Sequence, residues 1–167
     1  MRGPFRVWRI VKKRRAALAF DGEGAKREGG RWNSIGVLMV YASATISLAL
    51  LETLVHADQE DLPTERYVAI PIDIPPFVRV KHIAVDVLPK GWQKWDPSPP
   101  ELKRIGDEWV GDCRQVVLSV PSAVVPQERN FLINPAHSDM NRLIIGTPQP
   151  IPLDGRLLKK QEPPARS

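Results

Sequence analysis

A single cysteine, Cys113, stands among 167 residues, so no internal disulfide can form. The three histidines, His56, His82 and His137, are scattered and give no metal-ligand spacing. No apolar run approaches the ~20 residues that a membrane span needs. The opening MRGPFRVWRIVKKRRAALAF is basic but lacks the ordered zones of a secretory signal. There is no P-loop, no GxGxxG turn and no GxSxG elbow, which removes three common signatures of phosphate binding and serine hydrolysis. These absences exclude a disulfide scaffold and a zinc module. They lead to the expectation of a cytoplasmic protein with no metal and no membrane contact.

What is present suits one soluble domain, with 43% hydrophobic and 26% charged residues. The net charge of +5 suggests an acidic partner, either nucleic acid or the phosphates of a small ligand. KKRR at 12–15 contributes to that charge and reads first as a solvated face.

FRVWRIV (5–11) alternates as a strand, while 16–28 reads as a charged surface loop with at most a helical turn. VLMVYA (37–42) reads as a buried strand, after which Ser43 can cap a helix to about residue 57. Ile46, Leu50, Leu51, Leu54 and Val55 would form its apolar face, with Glu52 and His56 on the margin. Strands follow at 67–74, where Pro71 requires an edge or a bulge, and at 80–88. Ser98 opens a capping box for a helix with Leu102, Ile105, Trp109 and Cys113 on one face. A buried strand begins at 116 and turns at Pro121–Ser122, and short strands follow at 130–134 and 142–146. Many short strands with two clear helices point to an α+β fold, a single domain with a mixed, partly antiparallel sheet.

Cys113, placed on an apolar helix face, reads as structural rather than nucleophilic. Three polar residues stand out beside apolar segments. Arg31 closes a glycine turn, and its planar fork suits phosphate or carboxylate. Tyr41 ends the next strand, where its ring packs in the core or stacks on a flat ligand. Glu52 interrupts LALLETLVH, where a carboxylate needs a partner or a task; a pair with His56 would be the structural alternative. Ser122, with Asn130 and Asn134 after it, is either turn chemistry or a further polar contribution. An arginine, a tyrosine and a glutamate on one cleft suit an anionic ligand whose reaction develops positive charge.

WRI, GGRWNSIGVLMVYAS, SLALLETLVH and VPSAVVPQERNFLINPAHSD together resemble the RES domain family. The resemblance spans 5–158, leaving 159–167 as a flexible tail. The arginine, glutamate and serine that name the family match Arg31, Glu52 and Ser122. The resemblance implies a fold similar to ADP-ribosyltransferase toxins. It implies the toxin of a bacterial toxin–antitoxin pair, neutralised by an Xre-type antitoxin with a DNA-binding helix-turn-helix. DNA would be reached only through that antitoxin, and a homo-oligomer within the complex stays open. NAD would be the substrate, its nicotinamide–ribose bond cleaved with water or phosphate as acceptor, or its ADP-ribose passed to a protein. In that frame Arg31 holds the pyrophosphate or ribose end and Tyr41 stacks near nicotinamide. Glu52 stabilises the ribosyl centre, Ser122 and Asn134 complete the pocket, and Arg9 supplies a second cation.

Two alternatives compete. A basic nucleic-acid-binding module would explain the charge, although no reading helix or aromatic series is evident. A toxin-like scaffold kept only for partner binding is the other.

Overall fold

The alternating FRVWRIVK forms strand β1 (Phe5–Lys12), with Val7 fully buried. The computed structural model describes residues 3–57, 66–95 and 97–158. The 159–167 tail therefore lies outside the described residues. After β1 come a 3-10 turn at Lys13–Leu18 and a short helix, α1 (Glu23–Glu28), where the sequence suggested a surface loop with a helical turn. Lys13, Arg14 and Arg15 are exposed.

Strand β2 (Val40–Ser43) leads into helix α2 (Ile46–His56). The helix is capped by Thr45, not Ser43: the Thr45 hydroxyl accepts the Leu48 N–H at 3.0 Å. Ser43 stays in the strand because its hydroxyl is engaged there, as described below. The chain continues through β3 (Tyr67–Ile74), β4 (Val80–His82), helix α3 (Pro100–Asp112), β5 (Val117–Pro121), β6 (Arg129–Ile133), β7 (Ile144–Ile145) and β8 (Gln149–Ile151). The sheet order is β4-β5-β6-β2-β1-β3-β7, with β8 also pairing β3. Among the described residues only the β4–β5 pair is parallel, so the sheet is mixed and mainly antiparallel, as expected of an α+β domain.

Pro71 sits inside β3 without breaking it. β8 covers Tyr67 to Ala69 and β7 covers Ile72 and Asp73, so Pro71 falls at the seam between two short partners. Its carbonyl accepts from Gly146 N at 2.8 Å, and the missing N–H lies on that same seam. The strand expected over 80–88 ends at His82, and Val85–Val87 is a 3-10 turn. Val85 and Val87 are exposed, so the alternation there had no buried face to serve.

The two faces of the sheet carry separate cores. Val7, Val40, Ala42, Ile72, Phe131 and Ile133 fill one. Met39, Leu118, Val120 and Leu132 face Trp32, Leu102 and Trp109 on the other. α3 buries Leu102, Gly106 and Trp109, a helical i, i+4, i+7 stripe. Cys113 does not belong to that face. It is exposed, in a left-handed conformation (φ 49°) just past the last helical turn, so the helical period no longer directs its side chain. Nor does Ser98 cap α3: the N-cap is Pro99, and no side chain accepts there.

Gly106 has a direct bearing on the site. A Cβ at this position would collide with the Trp32 carbonyl, so glycine alone lets α3 touch the GGRWN backbone. Asp107, the next residue, accepts the Ser34 N–H at 2.9 Å. The helix thus fixes the turn that carries Arg31.

Candidate active site

Helix α2 buries Leu48 and Ala49, and Glu52 follows them at i+4 and i+3. The carboxylate therefore points at the sheet rather than lying on the helix margin. The apolar face expected from Leu51 and Val55 is exposed instead. α2 packs across β1 and β2, so its inward stripe lies beside the ends of β2, β6 and β5.

There Glu52 meets two donors. Its Oε1 accepts from Ser122 Oγ at 2.8 Å and from Asn130 Nδ2 at 2.6 Å. Each donor is itself oriented. Ser122 Oγ accepts the Val124 and Val125 N–H groups at 3.1 and 3.0 Å, which leaves its one proton for Glu52. Asn130 Oδ1 accepts the Ser43 hydroxyl at 2.8 Å, which turns its amide nitrogen toward the carboxylate. Oε1 is thereby fixed, while Oε2 faces His56 Nε2 at 3.9 Å. Burial holds His56 below the usual histidine range against the pull of Glu52, and Arg31 lowers it further. That downward shift favours the neutral imidazole near pH 7, which makes this a contact between a carboxylate and a neutral ring.

Arg31 forms the opposite wall. Its Nη1 donates to the Trp92 and Lys94 carbonyls at 2.7 and 2.9 Å. Nη1 has two protons, so both are used, while Nε and Nη2 have no partner among the described residues. Burial lowers its pKa, opposed by the charge of Glu52. Arg31, Glu52, His56, Gln93, Trp95 and Val124 line a cleft of about 310 Å³. Among the described residues no group of His, Cys, Asp or Glu is placed to hold a metal ion.

The other expected residues lie elsewhere. Tyr41 is not part of that cleft wall. Its hydroxyl accepts from Trp32 N at 3.2 Å and donates to Asn33 Oδ1 at 2.7 Å, so it braces the turn behind Arg31. Burial raises its pKa strongly. Arg9 is on the wrong face of the sheet. Trp8 pairs with Ser43, which puts Trp8 on the side of Glu52 and Arg9 on the side of Val7. There Arg9 donates to the Tyr41 carbonyl at 2.7 Å, and burial lowers its pKa to about 10 despite the charge of Asp21. Asn134 is just past the end of β6 remote from Asn130, where its Oδ1 accepts the Ala136 N–H at 3.0 Å. Asn130, not Asn134, is the asparagine hydrogen-bonded to Glu52. His137, also in that segment, uses Nδ1 to accept the Asp139 N–H and serves the turn.

Two residues carry more than the sequence suggested. Asn33, fully buried in GGRWN, donates to the Ala25, Ser34 and Val37 carbonyls while accepting from Tyr41. Trp95 stands at the mouth of the cleft, with its ring 4.7 Å from that of His56. Its only sequence signal was an aromatic residue in a Pro- and Gly-rich loop.

The RES domain model matches residues 6–154. The chain belongs to the RES domain family. Among its relatives, a Prs ADP-ribosylating toxin of Sphingobium sp. is 43% identical over 136 residues, covering 79% of this chain and 83% of its own. A Toxin Res of Photorhabdus laumondii subsp. laumondii is 35% identical over 157 residues, covering 93% and 99%. A chain of the M. tuberculosis MbcT–MbcA toxin–antitoxin complex shares the fold, with a TM-score of 0.71, 17% identity, and coverage of 89% of this chain and 84% of its own. This RES protein thus shares its domain with relatives that are named as toxins. No helix among its described residues is long and apolar enough to cross a membrane.

Proposed function

We propose that this RES toxin consumes NAD by breaking the nicotinamide–ribose bond beside Glu52. The observation that carries the reading is the Glu52 carboxylate. One oxygen is held by Ser122 and Asn130, and the other faces a cleft walled by Arg31. When the N-glycosidic bond breaks, its electron pair moves to the pyridinium nitrogen and nicotinamide leaves neutral. Positive charge then develops on the ribose, and a fixed carboxylate stabilises it without reorganising. The acceptor oxygen bonds to the anomeric carbon and gives up its proton. Nε and Nη2 of Arg31 suit a phosphate of the dinucleotide. Tyr41 and Asn33 act by holding the turn that aims Arg31.

Ser122 is a positioning residue: it is fully buried behind Glu52 and orients the carboxylate. Ser122→Ala is expected to lower kcat about tenfold with little change in KM, the size of one lost hydrogen bond to a charged acceptor. Steady-state nicotinamide release measures both.

The acceptor separates two readings. Transfer to a protein is favoured by the Sphingobium relative, whose name describes ADP-ribosylation of Prs. Purified protein incubated with NAD, alone, with phosphate and with cell lysate, is expected to release nicotinamide in at least one arm. Product analysis then assigns the acceptor: free ADP-ribose, ADP-ribose 1″-phosphate, or a labelled protein. Intact NAD in all three arms would overturn the proposal. The antitoxin is of the Xre type in this reading and carries the DNA contact, and the toxin acts in the cytoplasm.

A further inference from the structure

Trp95 is 64% exposed, whereas Trp92, three residues earlier, is buried. An indole in water forfeits a large burial gain, so its placement requires another reason. The loop around it is held in place, because Arg31 Nη1 donates to the carbonyls of Trp92 and Lys94, the latter directly preceding Trp95. The same guanidinium lies 5.8 Å from the Trp95 ring centre, and the His56 ring is tilted 54° against it. His56 in turn faces Glu52 Oε2 at 3.9 Å. An exposed, anchored indole therefore stands within one side chain of the carboxylate proposed to meet the ribosyl centre.

Resting on the NAD reading above, we propose that Trp95 is the platform for the cationic nicotinamide ring and sets preference for the oxidised dinucleotide. A pyridinium is planar and positively charged, and the indole face attracts cations more strongly than other aromatic side chains. Adenine, the other ring of NAD, is neutral and gains no such attraction. Reduced nicotinamide has lost both the charge and the aromaticity. The site would then distinguish the two redox forms at the ring, before any bond breaks.

The test uses the full chain carrying Glu52→Gln, so that NAD binding is read while turnover is slow. Titration calorimetry compares NAD, NADH and ADP-ribose, with Trp95 intact and as Trp95→Leu or Trp95→Phe. Trp95→Leu is expected to weaken NAD about tenfold and erase the preference over NADH, with ADP-ribose within about twofold of its starting affinity. Trp95→Phe should retain an intermediate preference. Because the indole is exposed, thermal melting should be unchanged, which separates a ligand contact from a folding role. Equal losses for NAD and ADP-ribose, or no loss for either, would overturn the Trp95 assignment alone. Failure of both ligands to bind with Trp95 intact would overturn the NAD reading, and this inference with it.

Discussion

Glu52→Gln is expected to reduce nicotinamide release from NAD by about 100- to 1,000-fold, the range seen when one preorganised electrostatic contact to a transition state is removed. The glutamine carbonyl can still accept from Ser122 Oγ and Asn130 Nδ2, which hold Oε1 at 2.8 and 2.6 Å. The packing of α2 around Leu48 and Ala49 is also untouched. What disappears is the negative charge on the oxygen facing the cleft. The loss should therefore fall on kcat, with KM changing little, since a ground-state pyridinium meets the carboxylate more weakly than a ribosyl cation does. Melting temperature should stay close to that of the parent. An active Glu52→Gln enzyme would mean that another group carries the reaction.

Asn33→Ala should produce the largest loss of stability, about 3–5 kcal/mol, although Asn33 touches no substrate. Its Nδ2 donates to the Ala25, Ser34 and Val37 carbonyls at 2.8, 3.1 and 3.2 Å, and its Oδ1 accepts the Tyr41 proton at 2.7 Å. Alanine leaves the Val37 carbonyl and the Tyr41 proton without their partner in a buried site, at about 1–3 kcal/mol for each, while the Ala25 and Ser34 carbonyls keep the Gly29 and Val37 N–H groups. For a chain of this size that corresponds to a fall of roughly 10 °C or more in melting temperature. Asn33→Asp preserves the shape but turns an acceptor toward three carbonyls, so it should be no milder. Any Asn33→Ala protein that stays folded should show a raised KM for NAD, because the turn aiming Arg31 has lost its brace. Thermal melts and steady-state kinetics on the same sample check both parts. A variant melting within 2 °C of the parent would show that the turn is held mainly by α3 through Gly106 and Asp107.

Much of this site was legible in order but not in depth. Arg31, Glu52 and Ser122 were recognisable as chemistry-bearing residues beside apolar segments, and the motif order implied that they meet. Their ranking was not available. Ser122 looked like a pocket residue, yet it is the hidden donor that aims Glu52, because two N–H groups from its own turn claim its oxygen. Asn130 and Asn134 are four residues apart in one expected strand and would share a face there, so alternation treats them alike. Only the pairing of β6 with β2 places Asn130 opposite Ser43 and under Glu52. Helix α2 shows the same limit: periodicity found an apolar stripe, but the sheet selected the Leu48–Ala49 side and drew Glu52 inward.

The sequence by itself determined the α+β character, the order of the RES motifs and the glycines that let a backbone come close. These follow from local rules: strand alternation, helical period and the steric freedom of glycine. Tertiary structure alone decided which face each residue serves. Arg9 reads in the sequence as one more cation near the motif, but the Trp8–Ser43 register turns it to the far side of the sheet. Trp95 reads as a stray aromatic, but the capture of its loop by Arg31 brings it to the cleft through bonds that span 61 and 63 residues of chain. Register and loop capture are long-range pairings, set by which partner satisfies a buried donor. No local period encodes that choice.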